Sequence, residues 1–408
     1  MSSDWSSDVC SSDLASMLKD AGYTTAVIGK WHLGLGNGKV DWNADVKPGP
    51  LEIGFDYSFI IPSTGDRVPA VYLENYRVAG LETDDPLYIQ FTDDPSEGNP
   101  YPDPTGLSHP EMLKQPADTQ HSGTITNGIS RIGFMTGADN ARFVDEDFPF
   151  VLSEKAFDFM EENKDRPFFL YFAFHEIHVP RLPNERFVGS SSMGPRGDAI
   201  AQMDWVTGQL IKKLEELNIA ENTLVIFSSD NGPVLNDGYE DQAVELLGDH
   251  DPAGPFRGGK YSIYEGGNRM PTITYWPGTI EHSVNNALWS QVDLFASLAA
   301  LTNQEVSEKA APDSKDMLSV MLGESKKGRE IMLEEAFTFG LRKNKWKYIE
   351  PTDQEHNWTM DIKNIEGGIS TEPQLYNLET DPGETNNLAA EYPSLMHEMD
   401  SILQSIKQ

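Results

Sequence analysis

The sequence predicts an α/β protein, a largely parallel sheet sandwiched by helices with a smaller α+β subdomain at the C-terminal end, and three features of its 408 residues carry that prediction. Pro167 to Phe174 (PFFLYFAF) and Thr223 to Phe227 (TLVIF) are apolar without alternation, as strands covered on both faces are. Each follows an amphipathic helical stretch, Phe150 to Lys164 and Ile200 to Leu217, the latter with Met203, Val206, Leu210 and Leu214 on one stripe. Helix and strand in alternation give right-handed βαβ units. Each apolar run also stops abruptly on polar residues, and in open parallel sheets the carboxyl ends of strands are where chemistry gathers.

Composition sets the outer limits. With 38% hydrophobic residues the chain can bury a large core. Lys and Arg number 31 against 65 Asp and Glu, a formal charge of -34, which excludes nucleic acid or anionic membrane held by a general basic surface. An anionic substrate must then be gripped by locally placed cations or a metal. No stretch approaches the ~20 apolar residues of a membrane span, and no apolar signal-peptide core follows Met1. The one cysteine, Cys10, excludes an intrachain disulfide framework and a cysteine-based zinc site.

Along the chain, residues 1–14 repeat Ser-Ser-Asp three times without hydrophobic periodicity. Val9 to Leu14 is what a sequencing-adaptor string would encode, so residues 1–14 are expected to be a non-native leader. A helix over Leu14 to Ala21 ends at Gly22, and the strand Tyr23 to Gly29 runs into Lys30-Trp31-His32-Leu33-Gly34. From Pro48 to about Asp147, proline, glycine and aspartate are frequent and periodicity is short. An excursion of that length in a compact enzyme suits substrate selection, with disorder as the competing reading. His175 and His178 follow the PFFLYFAF strand. Two histidines three apart can ligate zinc, but no third soft ligand or helical HExxH context accompanies them.

Thr223 to Phe227 leads into Ser228-Ser229-Asp230-Asn231-Gly232-Pro233. A carboxylate and an amide oxygen are hard ligands of the kind Ca²⁺ or Mg²⁺ takes, although Asp-Asn-Gly after a strand is commonly a plain turn. Beyond an acidic loop, Phe256-Arg257-Gly258-Gly259-Lys260 and Tyr264-Glu265-Gly266-Gly267 let backbone approach closely while Lys260 projects. Pro271 to Trp276 reads as a further strand and Val284 to Leu301 as a helix. The organisation expected is a catalytic domain over 15–307 containing the excursion 48–147, then a C-terminal subdomain over 308–408, β-rich near Lys345 to Ile349 and closed by a helix from Tyr392 to Ile406.

Lys30, His32, His178, Asp230, Asn231 and Lys260 each lie where an apolar strand or a glycine-rich loop ends. Two lysines, two histidines and a hard-metal pair facing one crevice would suit an oxyanion ester, with cations on its oxygens and an imidazole to protonate the departing alcohol.

These residues resemble the type I sulfatases, the arylsulfatase group of the alkaline-phosphatase-like superfamily. The likeness rests on Ala21 to Thr25 with Gly29 to Gly34, His178-Val179-Pro180, Ser229 to Gly232, Gly259-Lys260 with Tyr264 to Gly267, and Leu375 to Leu378 with Asp381 to Leu388. It implies an alkaline-phosphatase-like sandwich, one Ca²⁺, and hydrolysis of sulfate esters, of sulfated sugars or glycans above all, by a formylglycine made from cysteine or serine. By the same resemblance Asp230 and Asn231 would be metal ligands, Lys30 and Lys260 would bind sulfate oxygens, His32 would serve the formylglycine hydrate, and His178 would lie beside the leaving oxygen. His175 has no assured role and reads as core or as support behind the site.

The departure is upstream. The family's Cys/Ser-x-Pro/Ala-x-Arg segment and two further metal-binding aspartates precede the GKWHLG motif, and neither is found here: Cys10 is followed by Ser11-Ser12-Asp13. The resemblance therefore implies an N-terminally truncated fragment, inactive as it stands, that lacks the formylglycine and half the Ca²⁺ ligands. The alternatives are a phosphomonoester or phosphonate hydrolase of the same superfamily and a non-catalytic sugar-binding relative. The acidic surface suits an extracytoplasmic hydrolase, periplasmic, secreted or lysosome-like. Oligomeric state and the particular sugar are not legible.

Overall fold

The computed structural model describes residues 9–91, 104–305, 310–354 and 358–407, with side chains from residue 14 on. Most of the expected leader (1–8), part of the excursion (92–103) and the expected subdomain boundary at 307/308 lie outside the described residues. The chain divides into two compact units, one made of residues up to Ala220 with Gly238–Leu246 and Leu294–Asp316, the other of Glu221–Asp237, Leu247–Asp293 and the chain from Met317 on.

The first unit opens on helix α1 (Val9–Asp20), which begins five residues before the Leu/Met spacing that announces it. Strand β1 (Thr24–Lys30) follows directly and is an inner strand, one place from the edge, of a five-stranded sheet. Its neighbours are β2 (Tyr57–Ile61) on one side and the later β9 on the other, both parallel to it. The sheet continues beyond β2 through two short antiparallel strands, β3 (Leu73–Glu74) and β4 (Arg77–Val78), so it is mixed with a parallel core. The five middle residues of β1 are buried, which is why Thr25 to Gly29 contains nothing more polar than Thr25, whose hydroxyl donates to Gly54 O (2.7 Å).

The excursion forms small ordered pieces. Strand β5 (Tyr88–Gln90) pairs with β8 (Phe134–Thr136), and β6 (Ile125–Thr126) with β7 (Ile129–Ser130), each as a two-stranded antiparallel ribbon. Isolated bridges from Arg67 to Ile132 and from Val71 to Arg142 tie them back to the chain after β2. Helix α2 (Phe148–Asn163) then leads into β9 (Phe168–Ala173), and helix α3 (Gly194–Glu216) packs on α2. Ile28, Ile60, Ile61, Phe55, Phe59, Leu73 and Phe148 all belong to one core.

The second unit contains the other apolar run. Its three-residue strand β10 (Val225–Phe227) pairs antiparallel with β11 (Ile273–Tyr275) as a separate two-stranded sheet. This differs from the expectation of a strand buried in the parallel sheet: β10 is half-buried along its length, and Ile273 on its partner is 58% exposed. The remaining sheet is antiparallel in the order β12 (Ile331–Glu335), β13 (Phe339–Lys343), β14 (Trp346–Ile349), β15 (Gln374–Asn377). The terminal helix Pro393–Ile406 lays Met399 and Leu403 on Leu341, Tyr348 and Leu375, the α+β arrangement expected of the C-terminal region.

Candidate active site

In the first unit the register of three parallel strands decides what meets. Lys30 lies opposite Ile61 of β2, and Gly29 opposite Ala173 of β9. The residues at or just past each end therefore converge: Lys30 at the end of β1 and His32 beyond it, Thr64 to Arg67 after β2, His175 and His178 after β9. Gly29 makes the approach possible. Its φ is +115°, and a Cβ there would stand 1.9 Å from the Ala173 carbonyl oxygen. His32 has φ +57°, a left-handed conformation uncommon outside glycine, and such strain collects at functional positions.

The imidazoles are electrostatically distinct. His32 has an exposed edge, but the protein packed about its ring lowers its pKa, and Lys30, Arg67 and His178 lower it further against the opposing charge of Asp66. Burial, then the cations His178 and Lys30, likewise hold His175 well below the usual range. His175 Nε2 accepts the Gly65 N–H (3.1 Å), and a Cβ on Gly65 would lie 2.3 Å from that nitrogen. With that nitrogen engaged, His175 supports the turn after β2 rather than offering a ligand to zinc. His178 is half-buried and directs Nδ1 to the Val179 carbonyl oxygen (2.8 Å).

A further network, which the sequence reading did not single out, stands behind these residues. His121 is 4% exposed, with Nδ1 2.7 Å from Asp118 and Nε2 3.4 Å from Asp66. Burial opposes its charge, but the two carboxylates outweigh burial and raise its pKa. Asp66 is also buried, which by itself favours the neutral acid; its bond to His121 and the charges of His178 and Arg67 overcome this and hold its pKa down at about 2. Thr64 donates its hydroxyl to the same carboxylate. Arg131, fully buried, holds Asp145 through two bonds (3.0 and 2.7 Å) and donates to the Gly65 carbonyl. The available signal was Thr64-Gly65-Asp66-Arg67 following an apolar strand, the same pattern that marked Lys30 and Asp230.

The second unit assembles the other motifs. The Lys260 N–H donates to Pro233 O (3.0 Å) and the Gly232 N–H to Gly267 O (3.2 Å), so the Asp-Asn-Gly turn and the two glycine-rich segments form one local structure. A Cβ at Gly232 would lie 1.9 Å from Gly266 O. Lys260 Nζ is 3.7 Å from Asp237, whose other oxygen pairs with Lys363. Beneath lies Glu265, whose N–H donates to Glu384 (2.6 Å) and whose carboxylate meets Lys347 (3.1 Å) and Arg342 (3.0 Å).

Asp230 is exposed, and Asn231 donates its amide N–H to Gly232 O (2.9 Å), leaving its amide oxygen available. These two oxygen donors fall well short of the six to eight that Ca²⁺ takes, and among the described residues no group of three or more His, Cys, Asp or Glu side chains is arranged to hold a metal. The residues present suit a hard cation in kind but do not complete a site. The Cys10 side chain lies outside the described residues.

The family model described as Sulfatase matches residues 11–304. An N-acetylgalactosamine-6-O-sulfatase of Bacteroides thetaiotaomicron is 45% identical over 399 residues, covering 97% of this chain and 76% of the relative. Human arylsulfatase A is 33% identical over 259 residues, 60% of this chain and 48% of its own. A solved Bacteroides thetaiotaomicron structure from work on the metabolism of multiple glycosaminoglycans superposes with a TM-score of 0.92 at 45% identity, covering 97% of this chain and 81% of that one. The fold is that of the alkaline-phosphatase-like hydrolases. The chain belongs to the sulfatase family, spanning about three quarters of the first of these curated relatives.

Proposed function

We propose that this protein is a sulfuric ester hydrolase of sulfated glycans, directed at a 6-sulfate on an N-acetylgalactosamine unit. The convergence of Lys30, His32 and His178 at the ends of two neighbouring parallel strands carries the reading, and the 45% identical relative's name supports the sugar. Lys30 and Lys260 bind the sulfate oxygens. His178, with Nδ1 engaged by a backbone carbonyl, presents Nε2 to the leaving sugar oxygen and protonates it as the ester bond breaks. His32, kept neutral by its surroundings, can accept a proton from the nucleophile's hydroxyl. In family members a formylglycine hydrate supplies that nucleophile, and Asp230 and Asn231 would contribute to a Ca²⁺ site. We assign 15–307 to the catalytic domain, with 48–147 selecting substrate and 308–408 as its C-terminal subdomain, and the compartment as extracytoplasmic.

No Cys/Ser-x-Pro/Ala-x-Arg segment occurs in the chain, so it should turn over no sulfate ester at a useful rate. Removing a covalent nucleophile cost about a millionfold in a serine hydrolase. Release of sulfate from a chromogenic ester, above that of a Lys30→Ala, Lys260→Ala control, would refute this. In a chain supplied with the missing segment and its formylglycine, each of those lysine changes should slow turnover at least ~100-fold, as expected for a preorganised donor worth about 3 kcal/mol. His178→Ala should slow 6-sulfated N-acetylgalactosamine more than an aryl sulfate, whose leaving group departs without protonation. Equal slowing of both would remove His178 from the acid role.

A further inference from the structure

In the second unit, Lys260 is followed at once by an aromatic residue in an unusual backbone conformation. Tyr261 has φ +74°, and Phe337, in the turn between β12 and β13, has φ +60°. Bulky side chains seldom adopt this left-handed region, and those that do are held there by their surroundings, often at ligand sites. Both rings close on one indole. Trp358, at the start of a short helix (Trp358–Lys363), stands edge-to-face with Tyr261 (centroids 4.8 Å apart, 65°) and with Phe337 (6.1 Å, 83°). All three side chains are half-buried, and none belongs to the packed cores built on Leu341 and on Ile263. Three separate stretches of sequence thus gather three rings at the surface of this unit.

The group is fixed to Lys260. Asp237 lies 3.7 Å from Lys260 and pairs with Lys363 (2.5 Å) on the Trp358 helix. The Asn236 side-chain amide donates to Ile362 O on the same helix (3.0 Å). Lys260 Nζ is itself 5.3 Å from the centre of the Tyr261 ring. An oxyanion held by Lys260 therefore has aromatic surface beside it. A sugar ring presents a face of C–H groups that packs on such rings while its hydroxyls stay in water, and aromatic side chains with a few placed polar groups are the usual make-up of a ligand site. The formal charge of -34 repels a polyanionic glycan at long range, so contacts that do not depend on charge are the effective way to hold more than one of its sugars.

We propose that Trp358, with Tyr261 and Phe337, is a stacking platform for a sugar ring next to the one whose sulfate Lys260 binds. The identity of the ligand rests on the sulfated-glycan reading.

Titration calorimetry of the full chain tests this with 6-sulfated N-acetylgalactosamine alone and with trisaccharides that carry that sugar at one end or the other, extended by a uronate and an unsulfated N-acetylgalactosamine. The better trisaccharide should bind about 10-fold more tightly than the single sugar. Trp358→Ala should remove most of that gain and leave the single sugar's affinity within about twofold of the parent's, whereas Lys260→Ala should weaken both probes. The gain should persist from about 50 to about 500 mM salt, which screens ion pairs but not stacking. Tyr261→Gly is the second variant. Glycine accepts φ +74° without strain, so this chain should melt within about 4 °C of the parent and still lose at least about threefold in trisaccharide affinity. It decides the matter alone if Trp358→Ala does not fold. The platform is overturned by a gain that survives Trp358→Ala, by a gain that vanishes in high salt, or by a Tyr261→Gly chain that unfolds or binds the trisaccharide as the parent does. In each of those cases weakening of the single sugar by Lys260→Ala would leave the glycan reading standing. If neither probe binds the parent chain, platform and reading fall together.

Discussion

Strands β1 and β10 are both short and apolar, and each leads to residues proposed for the site, Lys30 at the end of one and Asp230 beyond the other. Strand β1 has parallel partners on both sides and five buried residues in succession. Strand β10 has β11 alone, and each of its residues is half-buried. The polar residues follow suit: Asp66 and Asp145 in the first unit are buried and fully engaged, while Asp230 in the second is exposed. An apolar run thus specifies a strand, but its cover comes from elsewhere in the chain. A carboxylate at a strand end is rigid only where partners surround it.

The sharpest way to break this contrast is to remove one carboxylate from each unit. Asp145→Ala strips Arg131 of its bidentate partner and leaves a fully buried guanidinium, which should destabilise the protein by about 3–5 kcal/mol. Asp230→Ala should change stability by less than ~0.5 kcal/mol, as surface substitutions do. Urea unfolding of the two variants, compared at matched slope, measures both. Comparable losses would mean that Asp230 is held as firmly as Asp145.

The apolar residues offer a second, somewhat smaller contrast. Ile28 is wholly buried in the middle of β1, and Ile273 on β11 is 58% exposed. Ile28→Ala should cost about 2–5 kcal/mol through lost burial and the cavity left behind. Ile273→Ala should be close to neutral and should lessen any binding of a hydrophobic dye, since exposed apolar edges promote association. A large loss from Ile273→Ala would show that the β10 and β11 pair is covered in solution.

How much of this was legible follows from the same physics. Lys30, His32 and His178 could be read from the sequence because each stands a few residues past an unbroken apolar run, and parallel register brings such positions together. Asp66 carried the same signal after β2, but His121, Arg131 and Asp145 carried none, although they are as buried as the core. The described residues between Asp66 and Asp145 form strands of two or three residues, single 3₁₀ turns and isolated bridges, too short for a period of 2 or 3.6 to show. The pairing of β10 was hidden for a different reason, because a run covered on both faces and a run left half-covered have the same composition.

The smallest effect expected is a pH dependence centred on His121. The titratable groups that face it are Asp66, Asp118 and Tyr239, whose ring lies 4.8 Å from its own. Its pKa is raised in the folded protein because the two carboxylates outweigh burial. The stabilisation is therefore complete below the unfolded value of about 6.5 and is lost as pH rises through the higher folded value. Asp66 has the opposite sign: its contribution is present above the unfolded value of about 3.9 and is lost as pH falls toward about 2. Stability relative to a His121→Gln variant should thus be flat from about pH 5 to 6 and shrink through the alkaline side of 6.5, by an amount below the ~1.5–3 kcal/mol typical of a hydrogen bond to a charged group. Unfolding free energies of both proteins at half-unit intervals from pH 5 to 9 would show this. A difference that grew with pH would mean that His121 is neutral in the folded protein and that Asp66 relies on Arg67 and His178 for its charge.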